Sequence, residues 1–268
     1  MTENRLITLT TDFGLKDHFV GAMKGVIVKI CPDVNFVDIS HKVQPHDVFE
    51  AMMIFKNSYK YFPDRTIHLV VVDPGVGSNR RPLLVYSENQ YFIGPDNGVF
   101  SPLFQKEEDV LVIDITADHY FMKDVSYTFH GRDIFAPVAG YLAKGVDLKS
   151  FGDPVTDYIK LDFPKPKAPD KSTLEGEIIY ADNFGNLISN VASSHFQTFL
   201  NNSAQKTFKI TIGNNEINKI SQYYDEFPPG NLCAIFGSTD HLEFSLLQES
   251  AEKKLGLKPK EKVIIQFS

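Results

Sequence analysis

The chain has 268 residues, of which 43% are hydrophobic and 23% are charged, so it is long enough for one large domain or for a main domain with a smaller one. Its formal net charge of −7 argues against a nucleic-acid-binding protein, which usually presents a basic face. No apolar run approaches the roughly 18 residues of a membrane-spanning helix, and the first residues do not resemble a secretory signal, so neither a membrane partner nor export is expected.

The first half of the sequence alternates between strand and helix patterns. Runs rich in apolar and β-branched residues predict strands at "LITLTTDFG", "VNFVDIS", "IHLVVVD", "PLLVY", "QYFIG" and "DVLVIDI". The almost unbroken run "IHLVVVD" is typical of a central strand, and "PLLVY" and "QYFIG" predict a hairpin around residues 87–89. Helical spacing predicts three helices, within "DHFVGAMKGVIVKICP", "HDVFEAMMIFKNSYKYFP" and "RDIFAPVAGYLAKG". We expect Asp133 to cap the last of these and Gly145 to end it.

The pattern changes after the proline-rich, charged stretch "FPKPKAPDKS". Beyond it, short strand patterns alternate with Asn-Gly-Ser turns, and only "SAEKKLGL" indicates a helical turn. We therefore expect an α/β protein. Its parts would be an N-terminal α/β domain with a mostly parallel central sheet (residues 1–162), a linker (163–172) and a smaller C-terminal all-β, barrel-like domain (173–268).

Acids and a histidine occur repeatedly where a strand pattern ends. Asp12 ends the first strand in "TTDFG", and Asp73 ends the central strand in "VVVDPGVG". Asp96 follows the hairpin in "IGPDNG", and His130 precedes the last helix in "TFHGRD". Ligands of open α/β sheets bind at the carboxyl ends of strands, so these side chains are candidates for one site. Each also has a structural interpretation, as a helix cap for Asp12 and as a turn residue for the others, which we favour for Asp96.

Several common functional signatures are missing from the sequence. It has no Gly-x-Gly-x-x-Gly or P-loop motif for nucleotides and no Gly-x-Ser-x-Gly elbow for a serine nucleophile. His41 and His46 lie near Asp47, but without the spacing of a metal site. Cys31 and Cys233 lie far apart, so we expect two buried, reduced thiols and a cytoplasmic location.

Several segments together resemble the S-adenosyl-L-methionine (SAM) hydroxide adenosyltransferases, also called SAM hydrolases, which are related to fluorinase and chlorinase enzymes. The similar segments run through almost the whole chain in the family's order: "TTDFGLKDHFVGAMKG", "VVDPGVGSNRR", "IGPDNGVF", "FHGRDIFAPVAGYLAKG", "YADNFGNLISN" and, more loosely, "IFGSTDHLEFSL". The resemblance implies the same two-domain fold and hydrolysis of SAM to adenosine and L-methionine. It also implies no metal or organic cofactor, and a homotrimer with each site between two subunits.

The resemblance assigns catalytic residues as well. The Asp, Arg and His of the hydrolytic members fall on Asp73, Arg80 and His130. Halogenases of the superfamily lack this aspartate and carry an inserted loop after the corresponding region, whereas here Arg81 runs directly into "PLLVYSENQYFIGPDNG". Both differences imply water, and not a halide ion, as the nucleophile.

Substrate contacts are implied in both domains. The residues that the resemblance assigns to substrate binding are Asp12, Asp182, Phe184, Asn186, Ser238 and Glu243. Asp12 is the expected acceptor for the ribose hydroxyl groups, and Asp182 of the adjoining subunit is the expected partner of the methionine amino group. Phe184 and Asn186 would pack on the substrate and bind a polar edge of it. The last two residues of the set lie in a segment whose neighbours depart from the family's usual Asn-Ser and Leu-Glu-Ile-Ala pattern.

The chemistry of SAM explains why a strand would deliver a carboxylate into a glycine turn followed by a cation. The sulfonium leaves as a neutral thioether and needs no general acid, so catalysis must act on the water. Asp73 can accept a proton from that water and hold it in line with the departing sulfur, which is typically worth about 10²–10⁴-fold. Arg80 would keep the carboxylate ionised, and His130 would orient the pair or relay the proton.

The sequence leaves two alternatives open. One is a metal-dependent phosphohydrolase, whose ligands would be Asp12, Asp73, Asp96 and His130. The other is a SAM-binding or adenosine-binding protein without turnover. The presence of the complete Asp, Arg and His set argues against a protein that only binds, and insensitivity to a chelator would argue against the metal enzyme.

Overall fold

The computed structural model describes residues 5–105 and 110–268, and the chain divides into two compact units, Met1–Asp162 and Phe163–Ser268. The strands of the N-terminal unit are β1 (Leu6–Thr11), β2 (Asn35–Ser40), β3 (Ile67–Val71), β4 (Pro82–Ser87), β5 (Gln90–Pro95), β6 (Leu111–Ile115) and β7 (Gly152–Pro154). Its α-helices are α1 (Phe19–Ile30), α2 (Val48–Ser58) and α3 (Ala136–Ala143). A π-helical turn, Gly131–Phe135, leads directly into α3.

The N-terminal unit is built on a seven-stranded sheet of order β2-β1-β3-β5-β4-β6-β7. The four strands β2, β1, β3 and β5 pair in parallel, and the remaining three pairs are antiparallel. Every residue of β3 is buried, as predicted for a central strand. β4 and β5 form the predicted hairpin, with positive φ angles at Glu88 and Asn89, as in a type I′ turn. The α/β prediction is therefore confirmed.

The carboxyl ends of β1 and β3 meet at one edge of this sheet. The two strands are parallel neighbours, in a register that places Thr11 opposite Val71. Asp12 follows β1 and Asp73 follows β3, so both acids leave the sheet at the same edge. The strand order thus provides the convergence of polar residues that the sequence could only suggest.

The predicted helix cap at Asp133 is wrong, and the alternative interpretation of Asp12 as a cap does not hold. Asp133 does not cap the third helix, because it lies inside the π-helical turn with its side chain fully buried. Asp12 does not cap the first helix either, since α1 begins only at Phe19, after His18 at the N-cap position. The predicted helix ends fit better, because α1 stops at Ile30, just before Pro32.

The C-terminal unit is a barrel-like β structure, as predicted. Its strands are β8 (Thr173–Ala181), β9 (Leu187–Ala192), β10 (Phe208–Ile212), β11 (Asn215–Ile217), β12 (Ile220–Ser221), β13 (Leu232–Phe236), β14 (His241–Leu246) and β15 (Lys262–Phe267). They form an eight-stranded sheet of order β11-β10-β15-β8-β9-β14-β13-β12, whose two end regions approach each other because β11 also lies against β13. The predicted helical turn is α5 (Ala251–Leu255), whereas α4 (Ser193–Asn202) was not predicted. Among the described residues, no helix combines the length and apolarity needed to cross a bilayer.

Candidate active site

Asp73 stands at the carboxyl edge of the N-terminal sheet, two residues beyond β3. Its side chain is 5% exposed. The side chain of Asn97 donates from Nδ2 to the carbonyl of Val72 at 2.8 Å and accepts from the Val99 N–H at 3.2 Å. The loop after β5 therefore fixes the backbone immediately before the acid.

A tight turn brings the chain back towards Asp73. The Val76 N–H donates to the Asp73 carbonyl at 3.2 Å, and the Ser78 N–H donates to the Gly75 carbonyl at 3.1 Å. Gly77 has a φ of +77°, and a Cβ atom at this position would lie 2.2 Å from the carbonyl oxygen of Tyr127. Only glycine fits here, because the left-handed backbone and the close approach of another chain segment both exclude a side chain.

Arg80, just after this turn, makes a bidentate ion pair with Asp73. Its Nε lies 3.0 Å from Asp73 Oδ1 and 2.9 Å from Oδ2, and its Nη2 also donates to Oδ2. The Arg80 side chain is 9% exposed, and its guanidinium carbon lies 5.2 Å from the ring centroid of Phe135. The pair is therefore nearly shielded from solvent, on a rigid strand end.

His130 completes the group, 2.8 Å from Arg80 Nη2 through its Nδ1 atom. A guanidinium only donates hydrogen bonds, so Nδ1 must accept and the ring proton must lie on Nε2. Burial lowers the pKa of His130 below its ordinary value, and the positive charge of Arg80 lowers it further. The ring is therefore neutral at pH 7. The structure thus brings all three predicted catalytic residues together.

Asp12 is held by the loop that follows β2. Its Oδ2 accepts the backbone N–H of His46 at 2.9 Å. Beside it, Thr11 Oγ1 lies 2.8 Å from His41 Nδ1, and the Gly14 N–H donates to the His41 carbonyl at 2.7 Å. Within the part of the chain that the structure describes, Asp12 Oδ1 accepts no hydrogen bond, so the residue retains capacity to accept hydrogen bonds from a ligand.

Asp96 belongs to a separate ion pair. It is 5% exposed, accepts from Arg81 Nε and Nη2 at 3.1 and 2.8 Å, and accepts the Ile159 N–H at 2.8 Å. Arg81 also donates to Asp157 at 2.7 Å. The carboxylate therefore ties the segment around Ile159 to the sheet, which is a structural role.

The C-terminal unit contains a cavity of about 700 Å³ that gathers the other predicted substrate residues. The predicted residues that line it are Asp182, Phe184, Asn186, Ser238 and Glu243. Asp182 shapes its own turn, accepting the N–H groups of Phe184 and Asn186, each at 2.9 Å. The ring of Phe184 is 77% exposed. It is therefore free to pack on a ligand without losing contacts in the core.

Sequence reasoning missed two tyrosines in this cavity, Tyr180 and Tyr224. Tyr224 donates its hydroxyl hydrogen to Glu243 Oε1. Burial raises the pKa of Glu243 while this hydrogen bond opposes the rise, and burial raises the pKa of Tyr180 to about 12. Tyr180 lies near the end of β8, two residues before Asp182, and this closeness in the sequence is the signal that could have revealed it.

The arrangement of the acids does not match the metal-enzyme alternative. Among the residues that the structure describes, no three or more His, Cys, Asp or Glu side chains are grouped so that they could hold a metal ion. Asp73 and Asp96 are paired with Arg80 and Arg81 instead. The four ligands that a phosphohydrolase would need therefore do not form one cluster.

The glycine turn yields a test with a matched control. Gly77→Ala should lower the free energy of unfolding by about 2 kcal/mol or more, because it combines left-handed strain with the Tyr127 clash. Gly75→Ala should cost less than about 1 kcal/mol, since a Cβ there meets Arg80 Cγ and Ser78 Oγ at 3.4 Å and Asp73 Oδ1 at 3.8 Å, all at ordinary contact distance. Urea unfolding of both variants measures the difference. Equal stabilities would show that the segment around Tyr127 does not press on the turn.

Comparison with known proteins identifies the family. The model for the SAM hydroxide adenosyltransferase N-terminal domain matches residues 7–152, and the model for the C-terminal domain matches residues 176–264. The (R)-S-adenosyl-L-methionine hydrolase of Methanocaldococcus jannaschii is 30% identical over 94% of this chain and 92% of that protein. The hydrolase of the same name from Salinispora tropica is 37% identical over 68% of this chain and 70% of its own.

More distant enzymes and a solved structure agree with this match. A fluorinase from an Actinoplanes species is 25% identical over 70% of this chain and 72% of its own. The crystal structure of an uncharacterized conserved protein from Thermotoga maritima has a TM-score of 0.86 and 33% identity, covering 97% of this chain and 99% of that one. Because the two family models together match most of the chain, the protein belongs to the SAM hydroxide adenosyltransferase family.

Proposed function

We propose that the protein hydrolyses SAM to adenosine and L-methionine by in-line attack of water on the ribose C5′ carbon. The observation that carries this proposal is the Asp73–Arg80–His130 group at the carboxyl edge of the sheet, in a chain of the SAM hydroxide adenosyltransferase family. The hydrolases named above support the same reaction class. A protein that only binds SAM would have no use for a desolvated acid, cation and imidazole at one point.

The reaction requires help for the nucleophile and little help for the leaving group. The sulfonium departs as a neutral thioether, so no proton has to be donated to it. The attacking water must lose a proton and must lie on the extension of the C5′–S bond. Asp73 takes the proton, and its position at the end of a buried strand fixes the direction from which the water attacks.

Arg80 and His130 support the carboxylate in different ways. The Arg80 cation stabilises hydroxide-like character as the water approaches C5′. Because His130 accepts a hydrogen bond from Arg80 through Nδ1, it orients the guanidinium beside Asp73. Water is favoured over halide because β4 begins directly after Arg81, without an inserted loop.

The C-terminal cavity supports binding of a cationic substrate. Three acids, Asp182, Glu243 and Glu249, line it together with aromatic side chains that include Phe184 and Tyr180. Carboxylates attract the ammonium and sulfonium groups of SAM, and aromatic faces attract cations and stack on adenine. We assign the ribose hydroxyl groups to Asp12, the methionine amino group to Asp182, and a polar edge of the substrate to Asn186. Ser238 contributes a further hydroxyl to the same cavity.

The proposal includes a homotrimer with each active site shared between two subunits. The assigned contacts lie in both compact units, which is the arrangement that the family resemblance implies. It includes no metal or organic cofactor, because protons are moved by side chains and the leaving group needs no Lewis acid. It also places the protein in the cytoplasm, in keeping with two free, buried cysteines, Cys31 and Cys233.

The names of the two relatives specify a stereoisomer of the substrate, because both are (R)-S-adenosyl-L-methionine hydrolases. We propose that this protein prefers the (R) sulfonium epimer too. Incubating each epimer in H₂¹⁸O should give adenosine with heavy oxygen in its 5′-hydroxyl, faster from the (R) epimer and unaffected by a chelator. Chromatography with mass spectrometry measures the products. A 5′-halo product in chloride or fluoride, or loss of turnover with the chelator, would contradict the assignment.

Substitution of two aspartates should separate catalysis from binding. Asp73→Asn keeps the size of the side chain but cannot accept the proton, so kcat should fall by at least about 10²-fold with little change in the Kd for SAM. Asp12→Ala should instead weaken SAM and adenosine binding, since a ribose contact acts before and during the reaction. Kinetics and calorimetry distinguish the two. A near-normal kcat for Asp73→Asn would make the acid a structural strand-end residue.

Mixing two inactive variants should test the shared site. One carries Asp73→Asn, and the other carries Phe184→Ala with Asn186→Ala. In a trimer whose sites combine neighbouring subunits, random mixing leaves roughly a quarter of the sites intact, so co-expression should restore about that share of activity. Light scattering should show a trimer. If the mixture stays inactive, each subunit supplies both halves of its own site.

A further inference from the structure

The segment that carries His130 has few apolar anchors. Residues 122–129, which lead directly into His130, form neither helix nor strand. Met122, Val125 and Tyr127 are 37%, 41% and 81% exposed, and among the segment's apolar side chains only Phe129 is buried. An irregular, exposed segment of this kind is expected to be mobile unless polar contacts fix it.

Those polar contacts converge on Asp133. Its Oδ2 accepts both the N–H of Ser126 at 2.9 Å and the Ser126 hydroxyl at 2.7 Å. Arg132 donates from Nε to Oδ1 at 2.6 Å and from Nη2 to Oδ2 at 3.1 Å. Burial would raise the pKa of Asp133, but the hydrogen bonds from Arg132 and Ser126 outweigh it and lower that pKa. The fully buried Asp133 carboxylate is therefore held as an anion by Arg132 and Ser126. Ser126 belongs to the irregular segment that Asp133 fixes in place.

The contacts extend from Asp133 to both ends of the segment. The Asp133 carbonyl accepts the Met122 N–H at 2.9 Å. The Ser126 hydroxyl accepts the N–H of Phe129, the residue before His130, at 3.1 Å. The guanidinium of Arg132 lies 5.2 Å from the ring centroid of Phe129. One buried acid thus sets the path of the backbone that leads into His130.

We propose that Asp133, acting through Ser126, is the positioning residue that orients the His130 ring towards Arg80. The proposal rests on the proposed function of the same site. Asp133 does not touch the Asp73–Arg80 pair in any contact of the described residues. Its effect passes through Ser126, whose backbone makes a hydrogen bond with the His130 ring. The same segment places the Tyr127 carbonyl against Gly77 and so supports the turn between Asp73 and Arg80.

The experiment compares Ser126→Ala, Ser126→Thr and Asp133→Asn with Asp96→Asn as the control. Asp96 is also a buried, arginine-paired acid of the N-terminal unit, but it holds a different segment. We expect kcat to fall about 10-fold or more in Ser126→Ala and Asp133→Asn, with KM nearly unchanged, because small displacements of catalytic groups are costly. Ser126→Thr, which keeps the hydroxyl, should retain activity. Asp96→Asn should lose stability but not kcat.

Nitrogen NMR of the His130 ring provides a readout that does not depend on substrate. Wild-type protein should show an unprotonated Nδ1, and Ser126→Ala should shift this signal towards a mixture of tautomers. Ser126→Ala retains the Asp133–Arg132 pair, so it tests the proposal even if Asp133→Asn fails to fold. If the ring signal moves but the wild type does not hydrolyse SAM, the proposed function fails while the positioning role stands. An unchanged ring signal and an unchanged kcat in Ser126→Ala would overturn the role of Asp133.

Discussion

The ion pair between Asp73 and Arg80 is the interaction on which the rest of the site depends. Both side chains are more than nine-tenths shielded from solvent, and they meet in a bidentate arrangement. Buried ion pairs contribute little net stability, because desolvation of the charges offsets their attraction. The proposed reaction explains why the protein bears this desolvation cost. A desolvated carboxylate with an adjacent cation is prepared to take a proton from water and to stabilise the charge that develops.

Several parts of the N-terminal unit serve to hold that pair. β3 supplies a buried, central strand end, and Asn97 fixes the carbonyl that precedes Asp73. The turn at Gly77 reverses the chain within a few residues, and it can do so only without a side chain, because the Tyr127 carbonyl lies against it. His130 then limits how Arg80 can move. Position, charge and tautomer are thus fixed before a substrate arrives, which is the usual condition for efficient catalysis.

The sequence predicted the members of the site better than their surroundings. The family resemblance named Asp73, Arg80 and His130, and the structure brings them together, but Arg80 and His130 are 50 positions apart in the sequence, which hides the contact that joins them. The sequence predicts a helix cap at Asp133 because an acid that precedes an apolar helical pattern is usually one. No local pattern indicates the π-helical turn that contains this residue. α4 was missed since only one of its residues, Phe196, is buried. Tyr224 belongs to the cavity through a tertiary contact with Glu243, which no local pattern encodes.

In the proposed mechanism, Asp73 holds the oxygen that attacks C5′. In the reaction product this oxygen is the 5′-hydroxyl of adenosine, so a crystal structure of the protein with adenosine and L-methionine locates it directly. We expect the hydroxyl oxygen to lie within about 3 Å of the Asp73 carboxylate, on the side of C5′ opposite the methionine sulfur. A 5′-hydroxyl directed away from Asp73, with that carboxylate still covered by Arg80 and out of reach, would contradict this mechanism.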